Sequence, residues 1–166
     1  MDINHSILVT YFKYLADNLK DINGFFRMDL TEIQSSFRSK IEFPALVLES
    51  HEGNFEASNV QSTVNDRTFA FTIYLKPLKS DYDDQNQKLS SAETIGLKVI
   101  ARMKHDATLP NHFLYNRFKV NTVSYAKVGP VFNEQLYGYR FVGSILGTEP
   151  LIVVPSDWED LPEICS

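Results

Sequence analysis

Two stretches of strict alternation bracket one long amphipathic stretch, and that arrangement limits the fold more than any other feature of the chain. Thr68 to Lys76 reads TFAFTIYLK, with Phe69, Phe71, Ile73 and Leu75 on one face. Leu136 to Leu146 reads LYGYRFVGSIL, with Tyr137, Tyr139, Phe141 and Ile145 on one face. Apolar side chains at a period of two mark half-buried antiparallel strands. Such strands need a cover, and the stretch between them supplies it. Leu89, Ala92, Gly96, Val99, Ile100 and Met103 share one side of a helix expected over Gln85 to Ala107. Glycine inside a helix costs ~1 kcal/mol against alanine, so Gly96 points to a strand whose backbone comes close.

The remaining elements are shorter. Ile3, Ile7, Leu8, Tyr11, Leu15 and Leu19 recur at helical spacing, which predicts a helix over residues 3–21 that Asn23-Gly24 would stop. Asp29-Leu-Thr-Glu32 has the form of a capping box ahead of a short helix over Leu30 to Phe37. Phe43 to Glu49 is a compact strand with Pro44 at its start. His51 to Asn59 reads as a polar loop, and Val60 to Asn65 either extends the next strand or stays outside it. Lys79 to Gln87 is a polar linker whose acids, Asp81, Asp83 and Asp84, sit where a helix N-terminus favours negative charge. Arg117 to Val128 and Glu134 to Gly147 form a hairpin turning at Val128 to Val131, in which Gly138 and Gly143 mark bulges or close backbones. Leu151 to Val154 is a last short strand. Strands joined by hairpins, with helices gathered on one face, give an α+β class. The expected sheet is mostly antiparallel, with four to five strands, an N-terminal helix and one long helix packed on one face. Residues 1–154 form one domain, followed by an acidic tail over residues 155–166.

Composition narrows the function classes. With 166 residues, 43% of them apolar, the chain can bury one core unaided. Its single cysteine, Cys165, allows no intrachain disulfide, and the neighbouring acids raise rather than lower a thiol pKa. The first residues lack a basic segment and cleavage site, and no apolar run approaches the ~20 residues that span a bilayer. These features fit a cytosolic protein. The net charge of −5 is uneven: up to Arg140 there are 16 basic and 16 acidic residues, and beyond it five acids and no base. A neutral body with an acidic end argues against nucleic acid as the main partner.

No catalytic constellation stands out. The histidines His5, His51, His105 and His112 show no ligand spacing for a metal. Gly143-Ser-Ile-Leu-Gly147 is not a nucleophile elbow, and no phosphate-binding glycine loop exists. No enzyme activity, cofactor or metal is therefore expected. The dense aromatics between Tyr115 and Phe141 suit core packing and a subunit interface better than a stacking platform for single strands, which needs more interleaved bases. In the C-terminal SDWEDLPEICS, the only tryptophan, Trp158, lies among acids with Leu161 following. That segment is either a frayed end or a short peptide that docks a neighbouring subunit. The candidate interface residues are Trp158, Leu161, Asp81, Asp83, Asp84, Tyr137 and Tyr139.

The order of elements carried by Phe43 to Glu49, Arg67 to Pro77, Ala92 to Lys104 and Tyr137 to Ile145 resembles the tail-terminator and tail-completion proteins of tailed bacteriophages. The resemblance covers residues 3–148 and rests on pattern and length rather than a diagnostic motif. It implies a small α+β subunit that forms a ring, commonly a hexamer, on the end of a tail tube. Its partners would be copies of itself and a tail-tube or head-connector protein, with assembly in the cytoplasm of a bacterial host and no membrane involved. An alternative from the residues themselves is a small-ligand-binding domain whose sheet and long helix enclose an aromatic-lined pocket.

Overall fold

The computed structural model describes residues 3–27, 41–58, 63–131 and 135–160, with the side chains of 56–58 left aside. The alternating segments form its centre. β4 (Thr63–Leu75) and β6 (Leu136–Glu149) pair antiparallel without a register break, from Thr63 opposite Glu149 to Leu75 opposite Tyr137. On one flank of β4 lie β2 (Ala45–Leu48) and β3 (Glu52–Ser58), both antiparallel to it. They act as one long strand with an irregularity at residues 49–51, where the Glu49 amide still donates to the Ala70 carbonyl. β1 (Gly24–Arg27) joins β2 in parallel, and β5 (Ser124–Val131) closes the other side against β6. The result is a six-stranded mixed sheet, mostly antiparallel, in an α+β fold.

Among the described residues two α-helices cover one face, α1 (His5–Asn18) and α2 (Tyr82–Asp106). Asn4 caps α1 by accepting from the Ile7 amide, and Asp81 caps α2 by accepting from the Asp84 amide. Phe12 of α1 and Val99 and Met103 of α2 meet Phe69, Phe71, Ile73, Phe141 and Ile145 of the central strands in the main core. The rings of Phe71 and Phe141 stack with centroids 5.2 Å apart. A smaller cluster of Val47, Tyr74 and Leu136 lies on the opposite face.

Several expected boundaries move. The strand count is six rather than four to five, because β1 and β3 carry no alternation. β3 reads EGNFEAS and its described side chains are exposed, so backbone pairing with β4 forms it without any burial pattern. α1 ends at Asn18 with Leu19 in extended conformation, and Gly24 opens β1 rather than stopping the helix. α2 starts at Tyr82, so most of the expected polar linker is its first two turns. Residues 117–123 are turns and a short 3-10 segment (Val120–Thr122), with Phe118 reaching β6 only through a bridge to Ile145. The Val128 to Val131 segment is a register shift inside β5, with Gly129 at φ 109°, and does not turn the hairpin. Leu151 to Val154, expected as a last strand, pairs with no strand among the described residues, and the sheet's last described strand ends at Glu149. The expected helix over Leu30 to Phe37 and its capping box lie outside the described residues.

Close approach explains three glycines. A Cβ on Gly96 would stand 2.0 Å from the Phe141 ring, so the approach predicted there is a side chain of β6 rather than its backbone. A Cβ on Gly138 would stand 2.0 Å from the Ile73 carbonyl oxygen, a true backbone approach. Gly143 faces the Phe69 ring and Val123, and the β4–β6 ladder runs through both positions without a bulge.

Candidate assembly surface

The long central ladder sets two ends of the molecule apart, and each end carries an unusual surface. At the Glu149 end the chain emerges as an arm. Glu149 is held by the buried Arg67 guanidinium, 2.5 Å away, so the arm is anchored at its root. Pro150 then breaks the ladder, and Leu151 takes a φ of 45°. A left-handed leucine is strained by ~1–2 kcal/mol, and here it redirects the chain away from the sheet. Leu151, Ile152, Val153 and Val154 follow with 48–75% of their surface exposed, and Trp158 is 56% exposed. Among the described residues the arm's backbone bonds locally, the Asp157 amide to the Val154 carbonyl and the Trp158 amide to the Pro155 carbonyl. Contiguous exposed β-branched side chains next to an exposed tryptophan are the kind of surface that marks a protein contact. The acids Asp157, Glu159 and Asp160 surround it.

The opposite end, around Leu75 and Lys76, is concave and basic. One cleft of about 600 Å³ has Phe43, Pro44, Leu75 and Ile95 for its apolar part, with Lys20, Lys76, Lys88 and Lys98 around it. Lys98 pairs with Asp21 at 2.6 Å and Lys88 reaches Asp84 at 3.9 Å. Lys20 and Lys76 are exposed and have no carboxylate partner among the described residues. A second cleft of about 650 Å³ adjoins it across Lys76, lined by Leu78, Lys79, Tyr82 and Tyr137 among others. These lysines lie just past the end of α1, just past the end of β4 and along α2. Nothing local in the sequence marks them as a group, since only the fold gathers them.

The structure separates the expected interface residues. Asp81 lines the second cleft with Tyr137, but its carboxylate is used as the α2 cap. Asp84 accepts from the Leu78 amide at 2.7 Å, and Asp83 is exposed in the first turn. Tyr137 also takes the Lys127 ammonium over its ring, 5.9 Å from the centroid. Tyr139 is half-buried against Tyr125 on the sheet. Trp158 stands at the far end, and Leu161 lies outside the described residues.

One polar cluster escaped the sequence reading. Asp106, buried at the end of α2, accepts from the Tyr11 hydroxyl and from Arg102 Nε, both at 2.8 Å, with His112 Nε2 3.9 Å away. Burial, followed by the Asp106 hydrogen bond, pushes the Tyr11 phenol well above its ordinary value, so it remains a proton donor. Burial also pushes the His112 imidazole down, outweighing the pull of Asp106. His112 Nδ1 accepts from the Leu114 amide. The bonds from Tyr11 and Arg102 tie Asp106 to α1 and α2, with His112 of the following turn beside them, which makes the cluster a latch between these elements. An acid at a helix C-terminus opposes the macrodipole, and that misfit was the one signal in the sequence.

No protein-family model matches the chain, and no curated protein is similar to it in sequence. Among the described residues, no helix is long and apolar enough to cross a membrane, and no three His, Cys, Asp or Glu side chains converge as a metal site.

Proposed function

We propose that the chain is a structural subunit of a phage-type tail, a ring-forming tail terminator or head–tail joining protein that works by protein–protein contact. It has no catalytic role on this reading, and it assembles in the cytoplasm of a bacterial host. The observation that carries the proposal is the arm from Leu151 to Trp158, an exposed apolar segment attached by an anchored root to a packed domain. Exposing a segment of that composition to water is unfavourable, and covering it is stabilising. The ligand-binding alternative draws less support, because aromatic side chains fill the space between α2 and the sheet, with Phe141 pressed against Gly96.

The test is the mass of the purified chain by light scattering across a concentration series, with and without residues from Pro150 onward. The expected result is a closed multiple of the 19.0 kDa chain, six foremost, that the truncation reduces to monomer. A full chain that stays at monomer mass throughout removes the self-assembly reading and moves effort to ligand screening.

A further inference from the structure

Resting on that reading, we infer that the arm of one copy docks in the lysine-lined cleft beside Lys76 of the next copy. Charge and shape agree. The arm offers an indole flanked by Asp157, Glu159 and Asp160 with no base beyond Arg140. The cleft offers apolar Phe43, Pro44, Leu75 and Ile95 inside a rim where Lys20 and Lys76 have no carboxylate partner among the described residues. Its volume of about 600 Å³ accommodates an aromatic side chain with flanking backbone. An aromatic anchor seated in a pocket, with charges at its margin, is how a small contact gains affinity.

The fold also says whose arm it is. The β4–β6 ladder holds the arm's root and the cleft at opposite ends, about 40 Å apart at the rise of a strand. From Glu149 to Trp158 the chain spans at most about 32 Å when fully extended. The 3-10 turn over Pro155–Asp157 shortens that reach further, and among the described residues no part of the arm lines the cleft of its own copy, so the occupant comes from a second copy. Donor and acceptor surfaces then differ, so the contact is head-to-tail and each copy can both give and receive an arm. Contacts of this kind close into rings or run on as filaments.

Charge exchange tests the inference on the full chain. The variants are Lys20→Glu with Lys76→Glu in the cleft, Asp157→Lys with Glu159→Lys and Asp160→Lys in the arm, and the two sets combined. Circular dichroism checks each fold, and light scattering reads association. Either set alone should weaken association at least ~10-fold by placing like charges together, and the combination should restore it. In parallel, a capped peptide of residues 149–160 is titrated into chain carrying Trp158→Ala, so that the peptide holds the only tryptophan. A blue-shifted, saturable emission that the cleft variant abolishes is the expected result. Cleft variants that assemble as the parent does, while Trp158→Ala does not, overturn the inference and leave the assembly role standing. A parent chain that neither associates nor binds the peptide overturns both.

Discussion

Gly96 and Phe141 occupy the tightest point between the helical layer and the sheet, and a single methyl group there tests the packing. Alanine is the better helix former by ~1 kcal/mol, so propensity alone predicts that Gly96→Ala stabilises. The structure predicts the opposite, because the new Cβ would fall 2.0 Å from a buried ring that is itself stacked on Phe71. Overpacking of this kind costs ~1–3 kcal/mol, enough to win. Urea denaturation should show a lower midpoint for Gly96→Ala with an unchanged slope, and a raised midpoint would mean that the ring moves aside freely. The glycine's importance was legible in the sequence, since nothing else explains its place in the helix. The identity of its neighbour was not, because a ring contributed from β6 leaves no local trace near residue 96.

Among the elements, those that bury a face announced themselves and those held by backbone alone did not. β4 and β6 alternate because one side of each meets the helices, and α2 shows its stripe for the same reason. β3 pairs through main-chain hydrogen bonds, which any residues can make, so its sequence looks like loop, whereas β1 partly buries Phe25 and Phe26 against the two clusters in a run too short to alternate. The reverse holds at Leu151 to Val154, where β-branched residues suggest a strand that has no partner among the described residues. Strand propensity expresses fit to a neighbour rather than a backbone preference, and none of the described strands is a neighbour to this segment. Thermal unfolding supplies the check at this scale. Removing residues from Pro150 onward should leave the midpoint of the monomer unchanged within about 2 °C, as expected for a segment outside the cooperative unit. A larger fall would make the arm part of the core.

At the scale of the whole molecule, stability should decline on mild acidification. Burial lowers the His112 imidazole pKa, and burial together with His5 and Arg67 lowers that of His51. Between each folded value and the ordinary 6.5, the unfolded chain binds more protons than the folded one. Stability therefore rises with pH through that window and is lost as pH falls below it. Denaturation at about pH 7 and about pH 5 should give the lower midpoint at the acid end, and His112→Asn should reduce the difference. An equal or higher midpoint in acid would show that these imidazoles accept protons freely in the folded chain. The candidate contact surfaces also belong to this scale. The acidic arm was visible as a charge imbalance, whereas the basic cleft draws on residues from 20 to 98 and exists only once the chain has folded.

The uninterrupted β4–β6 ladder also acts as a ruler. Its thirteen residue pairs set the span between the arm's root and the cleft within one copy, about 40 Å at the rise of a strand. If copies join arm to cleft, the step from one to the next would be that span plus the length of arm that bridges the gap. Part of the width of such an assembly would then be written in the number of residue pairs in one ladder, and a two-residue insertion matched in both strands should widen it.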